Sequence, residues 1–210
     1  MTKGTTAVGA AIRSDLQIIA DMVAARSRVL DIGCGDGALL DYLGRAKGVD
    51  GRGIEIRQEG VNACVSQGLS VIHGDADEDL DDYPTGAFDY AILSRTLQNT
   101  RDPRWVLGEL ARIARYAIVS FPNFGYWRVR WLLFSTGRMP VTEMFDDPWF
   151  ASPNIHPCTI KDFLALAREM NIAVAQAQYL RRTGTPMSTH VPRAGANLFA
   201  EQAIFLLTKR

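Results

Sequence analysis

The sequence has few of the residues that build disulfide frameworks and metal centres. Its three cysteines, Cys34, Cys64 and Cys158, are an odd set without CxxC spacing. Neither a disulfide framework nor a zinc site is therefore predicted, and a reducing compartment fits best. Neither its three histidines nor its carboxylates form a pair with the spacing of metal ligands, so we expect no metal.

Long apolar runs and net charge are also missing. No run approaches the roughly 20 apolar residues that a bilayer span needs, and the first residues lack the apolar core of a signal peptide. Lys plus Arg equals Asp plus Glu, at 23 each, so no overall field attracts nucleic acid or an anionic membrane. We expect a cytoplasmic protein with no nucleic-acid or membrane partner.

What the sequence does have is a regular alternation of strand and helix patterns. Residues 1–13 are small and polar and predict a flexible N-terminal tail, and residues 14–210 have the length of a single domain. Strands that alternate with helices pair in parallel through right-handed crossovers. The predicted fold class is therefore α/β, a doubly wound, mostly parallel, Rossmann-like sheet with a C-terminal antiparallel strand pair.

The element boundaries follow from apolar spacing, capping residues and glycines. Ser14 and Asp15 are the expected caps of the first helix, Gly44 the end of the second, and Thr159 the cap of a late one. The predicted strands are 28–32, 51–56, 69–75, 88–94, 116–121, 172–182 and 197–210, and the later helices are 59–67, 103–114 and 159–171.

The turn after the first strand carries the sequence VLDIGCGDG, residues 29–37. Glycines at such a turn let the backbone approach a ligand closely. Gly33, Gly35 and Ala38 also match the dinucleotide-binding pattern GxGxxA. The charge of the loop must therefore decide between a dinucleotide and another ligand. The carboxylates of Asp31 and Asp36 disfavour a pyrophosphate and suit a ligand with an ammonium and a sulfonium group.

Two further carboxylates end the next strands along the chain. Glu55, 24 residues after Asp31, is placed to accept both ribose hydroxyls of a nucleoside, and Asp75 to reach an adenine amino group. In the alternative interpretation, the glycines form only a tight turn and the carboxylates are solvated. For Cys34, by contrast, the favoured interpretation is a small packing residue of the loop. The predicted cofactor-binding residues are Asp31, Gly33, Cys34, Gly35, Gly37, Glu55, Ile56, Asp75, Ala76 and Ser94.

At these residues the chain resembles class I S-adenosylmethionine-dependent methyltransferases over about residues 14–120, including FDYAILSRTLQNTRDP. The resemblance implies the methyltransferase form of the Rossmann-like sheet. It also implies S-adenosylmethionine or S-adenosylhomocysteine as the cofactor. It does not identify a methyl acceptor.

A narrower resemblance covers nearly the whole chain. The segments FPNFGYWRVRWLLFSTGRMPV (121–141) and SPNIHPCTIKDF (152–163), together with the glycine loop, are similar to the bacterial methionine biosynthesis protein W (MetW) family. This resemblance implies a partner, a MetX-type homoserine O-acyltransferase, which transfers an acetyl or succinyl group to homoserine. The acyl transfer would then belong to the partner.

The sequence departs from many small-molecule methyltransferases at the expected position of a catalytic base. Where those enzymes carry a histidine, this chain has Gln98 between a leucine and an asparagine. His156 could be a base, although a structural role on a loop carbonyl is the favoured interpretation. For His73 and His190 a structural or solvent-exposed role is preferred, and no catalytic residue is assigned.

The segment 121–158 is expected to be a lid or insertion, and it combines aromatic residues with arginines. Such residues could hold a partner protein, since they dominate interface energetics. In the alternative, Trp127 and Trp131, four apart, pack inward while Arg128 and Arg130 stay solvated. For any single aromatic residue, inward packing is the favoured expectation.

Two functions follow from these observations. The first is a cofactor-binding accessory subunit in methionine biosynthesis that supports homoserine O-acyltransferase. The second is an S-adenosylmethionine-dependent small-molecule methyltransferase that works by proximity and desolvation without a strong base. Cofactor binding is common to both.

Overall fold

The computed structural model describes residues 12–187 and 193–209. Within these ranges a seven-stranded sheet has the order β3-β2-β1-β4-β5-β7-β6. Strands β1 to β5 are parallel, and β7 runs antiparallel to both β5 and β6. This arrangement confirms the predicted fold class. The strands are β1 (Arg28–Ile32), β2 (Asp50–Glu55), β3 (Ser70–His73), β4 (Phe88–Ser94), β5 (Ala114–Pro122), β6 (Ile172–Leu180) and β7 (Gln202–Lys209).

The helices cover both faces of the sheet, and none in the described ranges has the length and apolarity of a membrane span. Pro103 occupies the first turn of its helix, as predicted. Thr159 forms a capping box with Asp162, as its position before an amphipathic run indicates. The helices are α1 (Ser14–Met22), α2 (Ala38–Lys47), α3 (Gln58–Ser66), α4 (Pro103–Ile113), α5 (Trp127–Thr136), α6 (Ile160–Glu169) and α7 (Arg193–Phe199).

Two predicted helix boundaries are wrong. Helix α1 starts at Ser14 without a side-chain cap, because the Asp15 carboxylate is paired instead with Arg13 and Arg95. Helix α2 continues through Gly44 and ends at Gly48, whose φ of 62° gives the left-handed turn that closes a helix.

Three strand predictions also need correction, and the first is β6, which ends at Leu180 and not at Arg182. Residues 197–199 belong to α7, so the last strand begins at Gln202. Strand β3 ends at His73, which leaves Asp75 in the loop beyond it. The predicted tail, apart from residues 12 and 13, lies outside the described residues, as do His190 and Arg210.

The core lies on both faces of the sheet. Leu30 and Ile32 of β1 pack into one apolar cluster with α4 and α6, whereas Val29 packs into a second cluster with α1 and α2. A strand buried on both faces requires a continuous apolar run, which is how β1 and β4 read in the sequence. The carboxyl ends of β1, β2 and β4 therefore meet at one edge, where parallel sheets bind ligands.

Candidate functional site

The glycine loop after β1 is fixed to the end of β2. The amides of Gly33 and Cys34 both donate to the carbonyl oxygen of Ile54, at 2.8 and 3.2 Å. Gly35 has φ of +59°, and no described atom lies within 4 Å of where its Cβ would be. The loop therefore exposes bare backbone at this point.

Glu55 is buried directly beneath the loop, with 4% of its surface exposed. Its Oε2 accepts a hydrogen bond from the Gly35 amide at 2.8 Å. Its Oε1 accepts from the amide and the Nε of Arg57, at 3.0 and 3.2 Å. These bonds orient the carboxylate at the ligand-binding edge of the sheet.

A cleft of about 540 Å³ opens beside this carboxylate. Its volume lies within the usual range of roughly 300–1,000 Å³ for small-molecule sites. Five predicted residues line it, namely Gly33, Glu55, Ile56, Asp75 and Ala76. The sequence did not indicate the other lining residues, which are Ile32, Ile54, Arg57, Gly74, Asp77, Arg95, Thr96, Asn99, Thr100 and Pro153.

A smaller cavity of about 120 Å³ lies on the other side of Gly33, which lines both spaces. Helix α1 contributes to its wall. Five predicted residues line this cavity, namely Asp31, Gly33, Cys34, Gly35 and Ser94. Cleft and cavity share Gly33, and together they are lined by nine of the ten predicted residues.

Asp31 is the least satisfied carboxylate of the site. It is 2% exposed, and its Oδ1 has no hydrogen-bond partner among the described residues. Burial, followed by the charge of Glu55, raises the pKa of Asp31 to about 7. A cationic group in the adjoining cavity would compensate this carboxylate, so the smaller cavity suits the positive end of a ligand.

Asp75 lines the cleft, and its carboxylate is already engaged. Its Oδ2 accepts from Arg101 at 2.8 Å and its Oδ1 from the Asp77 amide at 2.9 Å. Arg101 also binds Glu78 at 2.9 Å. A carboxylate has about four acceptor positions, so Asp75 can still receive one more donor.

Gly37 is the predicted residue that the structure places outside both spaces. A Cβ there would collide with Leu69 and lie 2.8 Å from the Cys64 sulfur, so this glycine serves close packing beneath the loop. Cys34 does line the cavity, but burial and then the charge of Asp31 raise the pKa of its thiol. A raised pKa disfavours the reactive thiolate.

Two residues that shape the site, one in its lining and one behind the loop, show why the sequence did not reveal them. Arg95 follows β4 with φ of +57°, unusual for a residue with a side chain, and it lines the cleft. Gly60 lies in α3, where a Cβ would be 2.7 Å from the Gly35 oxygen and 2.8 Å from Glu55 Cγ. Both depend on distant packing partners that local spacing does not reveal.

The histidine candidates have ordinary partners. The amide of His156 donates to Gln98 O at 2.9 Å, and its Nε2 lies 3.2 Å from Arg101 O. This contact with a loop carbonyl is the structural role favoured above. His73 is exposed on the edge strand β3, and Gln98 is buried with its amide nitrogen bound to Arg95 O.

The inward packing expected for the tryptophans of the insertion is wrong. Trp127 and Trp131 are 46% and 59% exposed. Helix α5 is described in full, and Val129 is its buried residue, which packs with Tyr126 and Phe145. The face of α5 that carries the two tryptophans is therefore turned toward solvent. Arg130 is not simply solvated either, since its Nε donates to Gly125 O at 2.6 Å.

Comparison with known families and proteins gives a match over almost the whole chain. The family model described as methionine biosynthesis protein MetW matches residues 13–207. The bifunctional methionine biosynthesis protein MetXA/MetW of Rhodopirellula baltica is 34% identical over 169 residues. That match covers 76% of this chain and 27% of the relative, so the chain spans about a quarter of the relative's length.

Solved structures share the fold at low sequence identity. A S-adenosylmethionine-dependent methyltransferase from Mesorhizobium loti aligns with a TM-score of 0.68 and 14% identity, covering 96% of this chain and 99% of that one. A second S-adenosylmethionine-dependent methyltransferase, from Archaeoglobus fulgidus, has a TM-score of 0.64 and 16% identity, and the match covers 94% of this chain and 92% of that one. The [4+2]-cyclase SpnF has a TM-score of 0.65 and 19% identity, and the match covers 92% of this chain and 80% of that one. At these identities the likeness establishes the fold and not the reaction.

Proposed function

We propose that this chain, which belongs to the methionine biosynthesis protein MetW family, is a cofactor-binding accessory subunit that supports a homoserine O-acyltransferase. The proposed cofactor is S-adenosylmethionine or its demethylated product, S-adenosylhomocysteine. The observation that carries the partnership is the relative whose name joins MetXA and MetW in one protein. Two proteins that work together are often fused in another organism.

The residues of the site fit this cofactor. The orphaned Oδ1 of the buried Asp31 calls for a cation in the smaller cavity, and the ligand's ammonium group would supply one. Glu55 would hold the ribose hydroxyls and Asp75 the adenine amino group. The bare backbone at Gly35 would let the methionine part approach. The bound cofactor would bring a sulfonium methyl group, which the accessory role does not require.

The composition of the cleft fits an accessory role, because its described residues include no evident base for methyl transfer. The described residues that line it include three carboxylates and two arginines but no histidine. His156, the strongest candidate base in the sequence, lies against the Arg101 carbonyl. The carboxylates of Glu55 and Asp75 are already ion-paired, with Arg57 and Arg101.

Cofactor binding would give the accessory subunit a regulatory input. S-adenosylmethionine is made from methionine, so its occupancy of the cleft would report the output of the pathway. If the ligand changes the affinity for the acyltransferase, the acyltransferase must change the affinity for the ligand by the same factor.

The test uses the purified chain and the acyltransferase of the same organism. Calorimetry should detect binding of S-adenosylmethionine or S-adenosylhomocysteine, and gel filtration should detect a complex with the acyltransferase. Methyl-labelled cofactor incubated with a small-molecule cell extract should leave every extract component unlabelled. A labelled product without complex formation would overturn the accessory role and establish a methyltransferase.

A further inference from the structure

Helix α5 presents a continuous aromatic stripe to solvent. Trp127, Trp131 and Phe134 recur at intervals of four and three residues, which places them on one helical face. They are 46%, 59% and 84% exposed, and the rings of Trp131 and Phe134 are 6.2 Å apart between centroids. Single exposed apolar residues are normal, but a contiguous patch marks an interaction surface.

The stripe leads into a cleft of about 410 Å³ that is separate from the cofactor site. Trp127 belongs to both features. Met187 and Phe199 add apolar side chains to its lining, and the turn after β6 contributes Arg181 and Arg182. The aromatic surface therefore has a depression at one end that can accept a large apolar side chain.

The charges that line this cleft indicate which chemical groups of a binding partner would complement it. Its described lining includes no carboxylate. Arg182 is neutralised by Glu143 from outside the lining, at 3.1 Å, whereas Arg181 forms no ion pair with any described residue. An unpaired guanidinium beside aromatic rings selects a carboxylate attached to an apolar body.

The length of the stripe indicates a protein rather than a small molecule. From Trp127 to Phe134 the helix rises by about 10 Å, at roughly 1.5 Å per residue, and the cleft extends the surface further. A second copy of this chain would present the same apolar stripe and the same unpaired arginine. An acidic and apolar segment of another protein complements both.

We propose that the stripe and the cleft form the docking surface for the acyltransferase, which inserts a large apolar side chain into the cleft and places a neighbouring carboxylate on Arg181. This inference rests on the proposed function and adds to it the surface and the chemistry of the contact. Aromatic residues and arginine are the side chains that most often carry binding energy at interfaces.

The test measures the dissociation constant of the acyltransferase complex for three variants. The double variant Trp131→Ser/Phe134→Ser should bind at least about 30-fold more weakly, as expected for removing a hot spot. Arg181→Glu should weaken binding about ten-fold or more, with a smaller loss at high salt. Val65→Ser is the matched control, because Val65 is 57% exposed on α3 at the opposite end of the sheet.

Each variant must retain its melting temperature and its affinity for S-adenosylmethionine, since none of the altered residues lines the cofactor site. If wild type does not bind the acyltransferase, the proposed function fails. If wild type binds and both stripe and arginine variants bind as tightly as Val65→Ser, the docking surface is wrong and the function stands. The third outcome is that wild type is a dimer, while the stripe variant is a monomer that still binds the acyltransferase normally. In that case the occupant is a second copy of this chain, and the inference is overturned.

Discussion

The amide of Gly35 donates a 2.8 Å hydrogen bond to Oε2 of Glu55, which joins the glycine loop to the end of the neighbouring strand. Gly60 closes the same arrangement from α3, since an added Cβ would lie 2.7 Å from the Gly35 oxygen. Loop, carboxylate and helix therefore form one unit. A change in any of them should alter both the affinity for the ligand and the free energy of unfolding.

Replacing Glu55 with alanine should weaken binding of S-adenosylmethionine about ten-fold or more, because the proposed charge-assisted contact to the ribose would be lost. The melting temperature should fall as well, since the Gly35 amide loses its acceptor. Glu59→Ala, in the exposed first turn of α3, is the control and should change neither value. Calorimetry giving equal affinities for Glu55→Ala and wild type would remove Glu55 from the site.

Replacing Gly35 with valine should abolish ligand binding while the protein still folds. An added Cβ here has no described atom within 4 Å, and Gly35 lines the smaller cavity. Gly86→Val is the matched control, since Gly86 has φ of +68° and equally open surroundings in a turn remote from the site. Both variants carry a left-handed strain of about 1–2 kcal/mol. Equal retention of ligand by the two would contradict the assignment of the loop.

Two helical glycines should respond in opposite directions to alanine. Gly44→Ala, where no described atom lies within 4 Å of the new methyl, should raise the free energy of unfolding by about 0.5–1 kcal/mol. Gly60→Ala should lower it and weaken ligand binding, because the methyl would press on Gly35 and Glu55. Chemical denaturation measures the free energy of unfolding of both variants relative to wild type. Stabilisation by Gly60→Ala would show that the loop has room to shift.

The buried Asp31 predicts a specific dependence of stability on pH. Its pKa is raised from 3.8 to about 7 in the folded protein, by burial and then by the charge of Glu55. The folded state therefore holds a proton that the unfolded state has already lost, and the stability due to this group declines from about pH 4 to about pH 7. The free energy of unfolding of Asp31→Asn should not show this decline. Urea unfolding of wild type and of Asp31→Asn at about pH 5 and about pH 8 measures the difference.

Ligand binding should show the complementary effect. A cationic ligand favours the ionised form of Asp31, so binding of S-adenosylmethionine should release a proton below about pH 7 and tighten as the pH rises toward that value. Calorimetry in buffers of different ionisation enthalpy measures the released proton. Proton release that is unchanged in Asp31→Asn would assign it to another group.

Much of the fold could be predicted from the sequence because the signals were local. Strands β1 and β4 have the predicted bounds, since apolar runs buried on both faces end at polar residues. The end of α2 was missed because Gly44 and Gly48 look alike in sequence, and packing decides which one adopts the left-handed conformation.

The site and the insertion were predictable to different degrees. Glu55 could be located because strand ends of a parallel sheet meet at one edge. Arg95 could not, since its role depends on Asp15, 80 positions away in the chain, in α1. The exposure of Trp131 could not be predicted either, because helical spacing shows which residues share a face but not which face turns inward.

The most direct test of the accessory role is the rate of homoserine acylation by the purified acyltransferase, titrated with this protein at fixed substrate concentrations. We expect a low rate for the acyltransferase alone, and a rate that rises as this protein is added and saturates near equimolar addition. We also expect that Val65→Ser stimulates like wild type and that Trp131→Ser/Phe134→Ser needs a much higher concentration. An acylation rate that is independent of this protein, under conditions where S-adenosylmethionine is bound, would rule out the accessory role.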